Sequence, residues 1–235
     1  MPQIALLNQS TVVSGSDCRL IAQAIDKQLK KHAVPAWGSA SNWSCAAYIT
    51  NPNAAPASAY DLVILDDADQ AGALGYHDQD PNGRPYAKAF AKTVLDNGGD
   101  IRTSANSVSV TASHEALEIF GDPQAGYWSQ MPSGKLIAME LCDPVEEDSY
   151  LISVGLTLIK VPVSNFVLPS YFDTMPQDQK FDYLGNLSAP FSMTSGGYQI
   201  LMTAGKVSQK FGKAFPKWKK AGKKFPAART AKRGR

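Results

Sequence analysis

The residues of this 235-residue chain best arranged for chemistry lie in the run His114-Glu115-Ala116-Leu117-Glu118-Ile119-Phe120-Gly121-Asp122. On a helical wheel at about 100° per residue, with His114 at 0°, Glu118 falls near 40°, Asp122 near 80° and Glu115 near 100°. Ile119, Ala116, Phe120 and Leu117 fill the opposite side. One face is therefore His, Glu, Glu and Asp, and the other is apolar. His114 and Glu118, four residues apart, project one above the other and can grip one ion. Glu115 stands beside them without pointing at the same spot. Two ligands a turn apart with a neighbouring carboxylate is the logic of the HExxH zinc helix, where that carboxylate is the general base on a metal-bound water. Here the second ligand is Glu118, a carboxylate. It can bind zinc but leaves the ion a weaker Lewis acid. A solvated acidic face with one surface histidine would give the same pattern.

The elements that must position this helix can be read from the apolar pattern. Ile4–Leu7 reads as a strand. Ser16 is placed to cap a helix carrying Leu20, Ile21, Ala24, Ile25 and Leu29, which Pro35 and Gly38 end. His32, beside two lysines, reads as a favourable charge at that helix end. Cys45–Thr50 and Leu62–Leu65 read as strands, 66–85 as a Gly-punctuated loop holding His77, and Ala87–Leu95 as an edge strand. A helix is expected over 107–120, then short strands at Lys135–Leu141, Tyr150–Ile159, Phe166–Leu168 and Tyr198–Met202. The fold class is α+β, with a sheet-and-helix half (1–122) and an irregular β-rich half (123–204).

Charge divides the chain sharply. Residues 206–235 hold 12 of the 23 Lys and Arg and no acid, so the other 11 face all 21 Asp and Glu. The reading is an acidic body, 1–204, and a basic arm, 205–235. Within the arm Lys217, Trp218, Lys219, Lys220, Lys223 and Lys224 are the candidate anchor, with nucleic acid, an anionic membrane surface or an acidic protein neighbour as partners. Cys18, Cys45 and Cys142 are odd in number and form no CxxC pair, so they are expected as buried small hydrophobes rather than disulfides or zinc ligands. The opening MPQIALLNQS lacks the charge and apolar run of a signal peptide. Leu151–Ile159, the most apolar stretch, is about half a membrane span, so no transmembrane segment is expected.

The segments LVILDDADQAGALGYHD, KAFAKTVLD, VTASHEALEIFGDP, AMELCDPVEEDSY, VSNFVLPSYF and FDYLGNLSAPF, in this order, resemble the zincin-like (HExxE) metallopeptidase-like proteins of tailed bacteriophages and bacterial prophages. The resemblance covers roughly residues 1–203. It implies a zincin-like twisted mixed sheet whose edge strand lines a cleft, a metal-site helix, and zinc on His114 and Glu118. A zincin needs a third protein ligand, and Glu140 is the first choice, with Asp143 orienting His114. His77 is the other contender, as ligand or oxyanion-stabilising donor, and Asp122 shares the polar face. The acids of 140–148 have a second reading as a calcium loop. Two functions follow. One is a zinc-dependent peptidase acting on a peptide substrate, with Glu115 as base. The other is a virion structural protein with an inactive zincin-like body and a basic anchor to virion subunits or nucleic acid. The expected location is the phage virion or the bacterial cytoplasm.

Overall fold

A computed structural model describes residues 2–49, 51–70, 73–156 and 158–217. The class is mixed α+β, with three sheets and few helices among the described residues.

The first sheet has strand order β2-β1-β3-β5-β4. It is built from β1 (Gln3–Asn8), β2 (Ser44–Tyr48), β3 (Tyr60–Leu65), β4 (Gly75–Gln79) and β5 (Pro85–Phe90). β1 pairs in parallel with β2 and β3, and β3 with β5, while β4 runs antiparallel along the β5 edge. Central parallel strands are covered on both faces and read as continuous apolar runs. Accordingly Ile4, Ala5, Leu6 and Leu7 are all buried.

Helix α1 (Gly15–Gln28) begins at Ser14, whose hydroxyl accepts the Asp17 N–H at 3.0 Å. Ser14, not Ser16, is thus the N-cap. The helix continues through a π turn at Leu29–Ala33 into the short α2 (Val34–Ala36). It buries Ile21, Ile25 and Leu29 against the sheet. His32 does not act as a helix-end charge. Its ring stacks on Tyr183 with centroids 4.8 Å apart, its Nδ1 lies 2.8 Å from the Tyr150 hydroxyl, and burial, with Lys27, lowers its pKa.

The segment expected as an edge strand over 87–95 divides in two. Pro85–Phe90 is the inner strand β5, and Ala91–Asp96 is helix α3. The edge strand is β4, inside the segment expected as a loop. Asp80-Pro81-Asn82-Gly83 closes the β4–β5 hairpin, with Gly83 N–H donating to Asp80 C=O at 2.9 Å.

Helix α4 (Val108–Gly121) starts at Ser107, whose hydroxyl accepts the Val110 N–H. It is buried on nearly every side, because α1 and the first sheet flank it and the hairpin of β8 (Ser149–Val154) and β9 (Ile159–Ser164) packs across it. Tyr150–Ile159, expected as one strand, is this hairpin's turn and first arm: Gly155 takes a positive φ of 69° that reverses the chain. The third sheet is antiparallel, β11-β10-β7-β6, from β6 (Trp128–Gln130), β7 (Leu136–Ala138), β10 (Tyr198–Thr203) and β11 (Lys206–Phe211).

β11 alters the expected division of the chain. It is hydrogen-bonded along its length to β10, from Tyr198 opposite Phe211 to Thr203 opposite Lys206. Phe215 then buries itself against Tyr198 and Phe211. A boundary at 204/205 therefore cuts a β-hairpin, and residues 206–215 pack with the body. Alternating Val207, Gln209 and Phe211 face inward while Lys206, Ser208 and Lys210 are exposed. No helix among the described residues is long and apolar enough to cross a membrane.

Candidate metal centre

Three segments distant in sequence meet at the middle of α4: the edge strand β4, α4 itself, and the chain from Glu140 to Glu146. The last begins just past β7 and enters a 3-10 turn at Asp143–Val145. That turn sits tightly against the start of β10. A Cβ on Gly197 would lie 2.1 Å from the Pro144 carbonyl oxygen, so only glycine allows the approach.

On α4, His114 Nε2 lies 3.5 Å from Glu118 Oε1, one turn away. The same nitrogen is 3.4 Å from Asp143 Oδ1, and Nδ1 is 3.7 Å from Glu146 Oε2. The two Nε2 separations match those between ligands each about 2 Å from one ion, whereas Glu146 meets the ring at its other nitrogen. His77 enters from β4, with Nε2 at 3.8 Å from Glu140 Oε2 and 3.1 Å from the Asp122 carbonyl oxygen. Two trios result, each offering ligand atoms within 4.8 Å of one another: His77, Glu118 and Glu140, and His114, Asp143 and Glu146.

The site is interior. His77 is 1% exposed, Glu118 2%, Glu140 3% and Asp143 3%. A solvated acidic helix face is therefore not what the α4 pattern encodes. Burying carboxylates so deeply is costly unless a proton, a hydrogen bond or a cation offsets it. Burial drives the Glu118 carboxyl well above its ordinary pKa, with Glu140 and Asp143 pushing the same way. Burial pulls the His114 imidazole down, but Asp143, Glu146 and Glu115 outweigh it and lift its pKa to about 9. Burial likewise raises the Tyr198 phenol, and Asp143, Glu146 and Glu140 add to the effect.

Glu118 also has a structural task. Its Oε2 accepts the Leu141 N–H at 3.0 Å and its Oε1 the Cys142 N–H at 2.8 Å. It thereby ties the 140–146 segment to α4. A carboxylate has about four lone-pair sites, so these bonds leave capacity for a cation.

The residues expected from spacing separate as follows. His114, Glu118, Glu140 and Asp143 are all in the cluster, but His114 falls in one trio and Glu118 and Glu140 in the other. Asp143 contacts His114 as expected and is also a ligand candidate itself. His77 is in the cluster from a strand, not a loop. Glu115 is beside it, 5% exposed and packed over Gly75 of β4. Asp122 is not among the converging ligands. Its two oxygens accept the Gly126 and Tyr127 N–H groups, each at 2.9 Å, and hold the turn after α4.

The acids of 140–148 divide by surroundings. Glu140, Asp143 and Glu146 turn toward the imidazoles, Glu147 is exposed, and Asp148 accepts from Asn186 at 2.9 Å. Glu146 as a partner of His114 and Tyr198 as a neighbour of Asp143 are additions to the sequence-based set. The Asp143-x-x-Glu146 spacing, which a 3-10 turn brings onto one side, was the available signal for the first. The three cysteines are buried and unbridged, and Cys142 Sγ contacts the His114 carbonyl at 3.8 Å. Of the expected anchor, Lys217 is exposed, and Trp218, Lys219, Lys220, Lys223 and Lys224 lie outside the described residues.

No family model matches the chain, and neither the curated proteins nor the solved structures contain a match to it.

Proposed function

We propose that the protein binds a divalent transition-metal ion at this cluster and uses it to lock β4, α4 and the 140–146 segment together inside a zincin-like body. The observation that carries the reading is the convergence of His77, Glu118 and Glu140, three buried side chains from three separate segments. Imidazole and carboxylate donors suit zinc, manganese or ferrous iron, and zinc is the ion we assign. Bound there, it would supply positive charge against buried carboxylates that otherwise hold protons. The antiparallel edge strand beside the site helix supports the zincin-like part, because that resemblance places an edge strand along the site.

Catalysis is the second reading, and the placement of Glu115 favours it. Glu115 adjoins His114, the most exposed imidazole of the cluster at 12%, and could hold a proton during hydrolysis of a peptide. A catalytic zinc site keeps a position open to substrate, whereas the His77 trio is closed. We therefore place the structural role first.

The test is metal content and thermal stability of the purified full chain. At least one equivalent of metal should survive dialysis, and chelator should lower the unfolding midpoint. Saturating zinc at about 100 times its Kd should restore about 2.7 kcal/mol. His77→Ala should weaken the effect. No retained metal and no response to added zinc would overturn the reading. Casein hydrolysis that Glu115→Gln abolishes without changing metal content would move catalysis to first place.

A further inference from the structure

We propose that the cluster is a two-metal centre, with Glu118 as the ligand shared between the ions; this rests on the metal-binding reading above. Each trio is complete in itself. His77, Glu118 and Glu140 supply one imidazole and two carboxylates, and His114, Asp143 and Glu146 supply the same. Each set supplies three protein donors to a divalent ion.

The trios are neighbours rather than rivals for one ion. Glu118 belongs to the first, yet its Oε1 stands 3.5 Å from Nε2 of His114, the imidazole of the second. That same nitrogen is 3.4 Å from Asp143. Glu118 is thus the side chain common to both surroundings, and a carboxylate can place one oxygen on each of two ions. Paired sites of this kind hold their ions about 3.5–4 Å apart. The two backbone N–H groups that Glu118 accepts fix its orientation, as ligating carboxylates generally require.

Charge points the same way. Glu115, Glu118, Glu140, Asp143 and Glu146 bring five carboxylates around two imidazoles. One divalent ion would offset two of those charges and two ions would offset four. Nearly complete compensation is what an interior site needs.

The experiment loads the full chain with Mn(II), measures bound metal after equilibrium dialysis, and records the electron paramagnetic resonance spectrum. Two equivalents are expected, with the broadened spectrum of exchange-coupled ions. His114→Gln should reduce the content to one equivalent and give the resolved hyperfine pattern of isolated Mn(II), and so should His77→Gln. The spectrum of the unmutated protein decides the matter even if a variant does not fold. One equivalent, or two with an uncoupled spectrum, would overturn the two-metal centre and leave metal binding intact. No bound metal would overturn both.

Discussion

Gly75 of β4 faces Glu115 of α4 so closely that a Cβ on Gly75 would lie 2.7 Å from Glu115 Oε1. The edge strand approaches the site helix at this point because it carries no side chain there. The same Cβ would sit 2.7 Å from the Lys88 carbonyl oxygen, which is backbone and cannot swing aside. Gly75→Ala should therefore lower stability by about 1–3 kcal/mol, as overpacking does, read from urea unfolding. Metal content should persist, because Glu115 belongs to neither trio. An unchanged midpoint would mean that β4 yields without strain.

Glu118 offers a test of structure separate from metal. In chelator, Glu118→Ala leaves the Leu141 and Cys142 N–H groups without their acceptor, at about 1–3 kcal/mol for each group that finds no other. Glu118→Gln retains one carbonyl oxygen and should fall between the unmutated protein and the alanine variant. If all three unfold at the same denaturant concentration, Glu118 does not tie the 140–146 segment to α4.

A pH dependence follows from His32, which burial holds below its ordinary pKa. The unfolded chain binds this proton more readily than the folded one, so stability rises with pH through this group. Its contribution is present above the ordinary histidine value of about 6.5 and is lost as pH falls through the lower folded value. The stability difference between the unmutated protein and His32→Gln should accordingly shrink between pH 8 and pH 5. A difference that grew on acidification would contradict the stacked, neutral ring.

Truncation tests where the body ends. Stopping after Ala204 removes β11 and Phe215, and burial of one such aromatic side chain alone is worth about 1.5–3 kcal/mol. That variant should unfold at clearly lower denaturant concentration. Stopping after Lys217 instead retains β11 and Phe215, so its midpoint should lie above that of the shorter variant.

What the sequence revealed of the site depended on where each ligand sits. α4 was legible because its Ser107 cap, its period and its His-Glu-Glu face are all local, and neighbouring turns of one helix fix His114 against Glu118. Glu140 and Asp143 were reachable from their acidic surroundings, but nothing local shows which trio each joins. The strand carrying His77 is not legible locally, because Gly-Tyr-His-Asp-Gln lacks a run of branched apolar residues. It exists through pairing with β5, a long-range interaction. The pairing of β11 with β10 is hidden for a related reason. The inward alternation of Val207, Gln209 and Phe211 was visible, but the lysines interleaved with it dominated the composition.

Those lysines have a consequence for the protein at high concentration. Among the described residues β11 is an outer strand of its sheet, and an outer strand is a template on which another copy can add. Lys206 and Lys210 are exposed along it, with Lys213 just beyond. A second copy aligning its own β11 there would bring cation against cation, at about 1 kcal/mol for each close pair in water. The guard depends on ionic strength, since at 1 M salt the screening length is about 3 Å. Concentrated stocks should thus stay dispersed in dilute buffer and become prone to sheet-to-sheet self-association in strong brine.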